Sequence, residues 1–370
     1  MNISAITKKL AVALAVGAMS ITLTATPAEA GWLDWATTAI NTGATAASGS
    51  RAVAQIKKQL TAYNTTEDGR RQLFAEYKAK YGVNNDPELN YRVNNLMTNL
   101  STAVAKVDPS IKAKPYLYFV NQNKSINAFC SLGHVMSINT GLLNLFTNDD
   151  EVAVVISHEM GHGQKDHPYT GTMSRVKRTV NTAIGVAATG SGSVGNVLGR
   201  LILTQNNAHG TKTQEKEADT LAFEYMLHSA YNPGACAAVW QRFLDKQGNN
   251  AQNALGSIFA PSDHPNNGAR RDTYVKLLET YGKNKVSAKN STVLVNGKAF
   301  MTTGETPAMS GAERSYFVLG NLAKAYHNGQ NYMNVTVNDG IVYLGDQLIV
   351  RPLAGEDPAE VLAERLRSFK

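Results

Sequence analysis

Residues 148–163, NDDEVAVVISHEMGHG, constrain this chain more than any other stretch. The run Val152-Ala153-Val154-Val155-Ile156 makes a helix that is apolar on nearly every side, so it has to lie inside a domain. Asn148 is placed to cap that helix, and Glu151, three residues on, to close a capping box. Yet the helix ends on His158, Glu159 and His162, and burying two imidazoles and a carboxylate is costly unless something satisfies them. Residues four apart on a helix are separated by about 400°, so His158 and His162 point the same way and can reach one ion. Glu159 lies about 100° round from His158, beside such an ion, where a general base belongs. An HExxH string alone turns up by chance in on the order of one chain in a hundred of this length, so the surroundings have to decide.

A catalytic zinc takes three protein ligands and keeps one position open. A third histidine six residues after the second is excluded here, because that position is Pro168. His167 comes one residue early and reads as a nearby polar group, not a ligand. The other solution is a carboxylate from a later helix, and EKEAD, 215–219, offers two. Glu215 shares a helical face with Asp219, Ala222 and Met226, whereas Glu217 shares one with Thr220, Glu224 and His228. Glu215 is therefore the inward carboxylate. Asp219, one turn along the same face, is placed to accept a hydrogen bond from the free ring nitrogen of His158 and fix its tautomer.

The rest of the chain reads as α+β. The first 30 residues have the form of a secretory signal peptide, with Lys8 and Lys9, an apolar stretch from Leu10 to about Ala25, and Ala28-Glu29-Ala30. That stretch is shorter than the roughly 20 residues a membrane-spanning helix needs. No cysteine stands at the cleavage point to take a lipid. The mature chain is expected to begin at Gly31, in the periplasm or beyond. Loss of Lys8, Lys9 and Glu29 takes the formal charge from +7 to +6, mildly basic. The positive residues are scattered and not interleaved with aromatics, which argues against nucleic acid and leaves a weak attraction to anionic membrane surfaces.

Residues 31–64 read as a helical segment, and helices are expected from Thr65 or Thr66 to Gly82 and from Pro87 to Val107. KPYLYFV, 114–120, and GHVMSIN, 133–139, read as strands, the second as a sheet edge before the histidine helix. Residues 168–212 read as a helical flap between two halves of a site, and 213–230 as a strong helix. After Lys283 short strands alternate with helices, so a domain over 65–285 is followed by a small α+β accessory domain over 290–370, with no internal repeat evident. Cys130 and Cys236 are either one disulfide or two buried thiols.

SHEMGHGQKDH followed by QEKEAD resembles the gluzincin metallopeptidases related to HtpX, BepA and the CAAX prenyl protease. The resemblance runs from about Thr65 to about Leu278 and takes in NDPELNYRVNNLMTNL, INAFCSLGHVMSINTGLL, AYNPGA and SDHPNNGARR. It implies a mostly helical zincin-like domain with a small sheet. It also implies one zinc ion held by His158, His162 and Glu215, with Glu159 as catalytic base. Two positions depart from the pattern: Cys130 replaces an alanine, and His134 replaces the second of two glycines, which puts substrate preference there in question. The membrane helices of HtpX and the prenyl protease have no counterpart, which removes prenylated substrates from the expectation.

The expected reaction is hydrolysis of peptide bonds in misfolded or unassembled envelope proteins by zinc-activated water, with Glu159 moving the proton. His264, in SDHP, has three open readings: a donor to the oxyanion, a fourth zinc ligand in a resting enzyme, or a surface histidine. Arg270 reads as a structural salt-bridge partner. The competing function is an envelope chaperone or assembly scaffold with a structural zinc. Intact Glu159 argues against it, since a structural site needs no base.

Overall fold

A computed structural model describes residues 46–188, 211–247 and 267–370. The expected signal peptide, the stretch from there up to 45 and the middle of the expected flap lie outside the described residues. Helix α1 (Ala46–Thr65) leads into α2 (Glu67–Tyr81), whose cap is the Thr66 hydroxyl accepting from the Gly69 N–H at 3.1 Å. Asp86 caps α3 (Pro87–Val107), with proline at the first turn where no N–H is needed. Val93, Leu96, Met97, Leu100 and Val104 recur at helical spacing and form its buried stripe.

A three-stranded sheet follows, made of β1 (Leu117–Asn121), β2 (Ala128–Ser131) and β3 (Val135–Asn139). Its order is β1-β3-β2, with β1 parallel and β2 antiparallel to β3. This corrects the expectation for residues 133–139: β3 is the central strand, buried at every position, and the edge beside the histidine helix is β2. A strand that pairs on both sides and is covered on both faces loses its alternation, and period alone cannot say whether it is central.

Helix α4 (Thr140–Leu145) passes to α5 (Asp149–Gln164), which is buried from Glu151 through Gly163. Asn148 caps α5 through the Asp150 N–H at 2.9 Å. Glu151 does not close a capping box; its carboxylate turns inward to Arg242, 3.0 Å away. Then come α6 (His167–Ala188), α7 (Lys212–Leu227), α8 (Ala235–Gln247) and α9 (Asn267–Tyr281). Helices α5 and α7 pack closely because Gly161 has no side chain: a Cβ there would sit 3.1 Å from the Ala218 Cα and carbonyl oxygen. Cys130 and Cys236 are separate thiols.

The last part of the chain contains β4 (Val286–Lys289), β5 (Thr292–Val295), β6 (Lys298–Thr302) and α10 (Gly311–His327). After these come β7 (Val335–Asn338), β8 (Ile341–Leu344), β9 (Gln347–Val350) and α11 (Ala359–Phe369). The two sheets are the same unit twice, which corrects the expectation of no repeat. Val293 pairs with Met301 and Val342 with Val350, and the register slips directly after Val293 in one sheet and after Val342 in the other, a constant offset of 49 residues. The copies interlock: α10 packs on β4, β5 and β9, and α11 on β7, β8 and β6. One buried core runs from Val155 and Phe243 into Leu319 and Leu322 of α10. Asn232 fastens the parts together, its backbone N–H donating to Asp150 (3.0 Å) and its side-chain amide to Phe317 O (3.0 Å) and Asn321 (2.9 Å).

Candidate active site

The close contact of α5 and α7 brings His158, His162 and Glu215 together. The two Nε2 atoms are 3.1 Å apart. Glu215 Oε2 lies 3.3 Å from His158 Nε2, and Glu215 Oε1 lies 3.3 Å from His162 Nε2. All three side chains are buried, and among the described residues this is the grouping of His, Cys, Asp and Glu that could hold a metal ion. The distances fit one: ligands about 2.0–2.2 Å from a tetrahedral zinc are roughly 3.3 Å from one another. Two imidazoles and one carboxylate leaving a position open is also the donor set of a catalytic site.

Each histidine is held from behind. His158 Nδ1 lies 3.0 Å from Asp219 Oδ1, as the shared face of Glu215 and Asp219 predicts. Asp219 accepts from Arg270 Nε at 2.8 Å and from the Tyr274 hydroxyl at 3.1 Å, and the Arg270 guanidinium stacks 3.7 Å over the Trp240 ring. Burial alone would raise the Asp219 pKa, but Arg270 reverses the effect and holds it at about 2, so the acceptor is ionised. Burial also disfavours a charge on His158, yet the carboxylates of Asp219 and Glu215 outweigh it and bring its pKa to about 9. Glu215 is held well below the carboxylate range, burial being overcome by the two histidines.

His167 does not ligate; its Nδ1 lies 3.0 Å from His162 Nδ1, and its Nε2 is 3.2 Å from Glu217 Oε2. The reading of His167 as a neighbouring polar group agrees with this, but its link to Glu217 escaped the sequence. The available signal was a histidine five residues after His162, just beyond a helix break.

Glu159 is buried beside the triad and accepts from the backbone N–H of Cys130 in β2 at 2.9 Å. Burial pushes its pKa up to about 7, with His158 pulling the other way. The β2 edge therefore runs along the site. His134 turns away from that edge: its ring stacks on Tyr116 at 4.5 Å, with Nδ1 2.7 Å from Lys114 O and Nε2 3.1 Å from Gly163 O. Tyr116 donates to Met160 O at 2.8 Å, so the pair braces the last turn of α5. Gly163 allows this, since a Cβ there would come within 2.5 Å of the Tyr116 hydroxyl. His264 lies outside the described residues.

Residues 88–280, more than half of the chain, match Peptidase family M48. The chain belongs to this family. It is 29% identical over 170 residues to the metalloprotease LoiP of Escherichia coli, covering 45% of this chain and 64% of LoiP. It is 26% identical over 177 residues to the beta-barrel assembly-enhancing protease of Escherichia coli, covering 44% of this chain and 34% of that protein. A third relative is the mitochondrial metalloendopeptidase OMA1 of Saccharomyces cerevisiae, 23% identical over 197 residues, 51% of this chain and 56% of the relative. The M48 chain thus spans between a third and two thirds of these relatives' own length.

Proposed function

We propose that this protein is a zinc-dependent endopeptidase that cleaves misfolded or unassembled proteins of the cell envelope. The single observation that carries the reading is the convergence of His158, His162 and Glu215 within ligand distance of one point, with Glu159 beside them. Its M48 relatives, a metalloprotease and a protease that enhances β-barrel assembly, support both the reaction and the class of substrate.

His158, His162 and Glu215 would hold the ion, one per chain, which when bound would supply Lewis acidity to water and to the peptide carbonyl. Glu159 takes a proton from the attacking water and hands it to the leaving amine, and its burial, which favours the protonated form, suits a group that must do both. The Cys130 N–H fixes the Glu159 carboxylate for that task. An extended substrate pairs its backbone with the β2 edge, so binding makes little demand on sequence. Asp219 keeps the His158 proton on Nδ1.

Residues 65–285 form the catalytic unit in this reading, and 290–370 an accessory unit docked through Asn232 and α8. The signal-peptide pattern of residues 1–30 supports export to the periplasm. Among the described residues, no helix is long and apolar enough to cross a membrane.

Purified protein incubated with casein tests the reaction. Glu159→Gln is expected to lower cleavage about 10²–10⁴-fold while keeping its zinc. Equal behaviour of variant and wild type would overturn the enzyme and favour a scaffold.

A further inference from the structure

The structure assigns a positioning role to His167 and Glu217, which nothing in the proposed ligand set requires. We propose that they form a relay that fixes the tautomer of His162 from outside the site and so sets the affinity for the metal. This rests on the ligand set proposed above.

Proton counting gives the direction. Glu217 is a half-exposed carboxylate, 42% accessible and paired with Lys165, and a carboxylate so paired only accepts. Its Oε2 lies 3.2 Å from His167 Nε2, so that nitrogen carries the proton. A neutral His167 then has a bare Nδ1, which faces His162 Nδ1 at 3.0 Å. His162 must supply the proton on this line. Its Nε2 is left with a lone pair, 3.3 Å from Glu215 and 3.1 Å from His158 Nε2, where the ion belongs. In the opposite tautomer Nε2 would push a proton into the site and His162 would be no ligand at all.

The two ligand histidines are therefore oriented by different means. His158 has a carboxylate directly behind it, Asp219 at 3.0 Å. Behind His162 the carboxylate is on the solvent side of α7, and the His167 imidazole spans the gap. The backbone makes this possible: α5 stops at Gln164, Asp166 adopts φ +50, and the chain returns with His167 at the start of α6. His167 is 4% exposed and its ring stands at 70° to that of His162, with centroids 5.0 Å apart. Lys165 Nζ lies 3.3 Å from the other Glu217 oxygen and holds the carboxylate in place.

The test is the zinc dissociation constant, measured by competition with a chromophoric chelator on the purified full chain. His167→Phe is expected to weaken zinc binding about 10–100-fold. His167→Asn, whose side-chain oxygen can accept from the His162 Nδ1–H, is expected to recover most of that loss. Glu217→Ala, at an exposed position that folding tolerates, is expected to weaken binding several-fold, and Glu217→Gln less. Two-bond proton–nitrogen spectra of the zinc-loaded protein should show the His162 proton on Nδ1. Wild-type affinity in both His167→Phe and Glu217→Ala would overturn the relay, as would an asparagine variant no better than phenylalanine. A wild-type chain that binds no zinc would overturn the ligand set and the relay together, whereas tight wild-type binding untouched by these changes would overturn the relay alone.

Discussion

Helix α5 carries a buried polar cluster at each end, and the two differ in who supplies the cation. At its start Glu151, fully buried, meets Arg242 Nη2 at 3.0 Å, and the same nitrogen reaches Glu313 of α10 at 3.3 Å. Two carboxylates share one guanidinium, and α5, α8 and α10 are tied together. At its other end His158, His162 and Glu215 aim their donor atoms at one point, while the guanidinium near them, that of Arg270, is held by Asp219. The first cluster has its positive charge built in and serves as a brace. The second has the shape of a cradle for a positive charge from solution. Burial and charge alone do not distinguish a brace from a site; the source of the counter-ion does.

The brace can be broken without touching the cradle. Arg242→Met leaves two buried carboxylates without their cation and should cost about 3–5 kcal/mol of stability, read as a fall in melting temperature. The fall should be the same in chelator and in zinc. A loss seen only in one of them would mean that the clusters are not separate.

A smaller effect sharpens the difference by pH. Burial raises the Glu151 pKa from about 4.5 to about 7, with Arg242 acting against the shift. The folded state therefore binds more protons than the unfolded state between these values. The stability that Glu151 contributes is full below about pH 4.5 and is lost as the pH rises through about 7, by no more than about 3 kcal/mol. Melting curves of wild type minus Glu151→Gln should fall over that window and stay flat above it. A difference that rises with pH would contradict this and would mean that Arg242 outweighs the burial of Glu151.

The smallest effect concerns the helix that joins the clusters. Asn148→Ala removes the acceptor for the Asp150 N–H and should cost about 1 kcal/mol, with zinc affinity unchanged. A change in zinc affinity would show that the start of α5 does communicate with its end.

How far these features could be read in advance depends on how local their causes are. The burial of α5 follows from Val152 to Ile156, the bounds of α2 and α3 from Thr66, Gly82 and Asp86-Pro87, and the inward turn of Glu215 from its helical face. Glu151 satisfies a capping pattern, but a distant arginine claims its carboxylate, and no local rule contains that competitor. Strand β2 is only four residues, AFCS, too short for its period to show, although it forms the edge of the site. The duplicated sheets share spacing and bulge position more than residues, so the repeat emerges from pairing register. The His167–Glu217 link depends on the turn at Asp166 and on the packing of α5 with α7, neither of which spacing alone conveys.

Metal analysis of the purified chain tests the central claim most directly. One zinc per chain in wild type and in Glu159→Gln, with none retained by Glu215→Ala after dialysis, is the predicted result. A wild-type chain without metal, or a Glu215→Ala variant that keeps it, would contradict the assignment of these three residues.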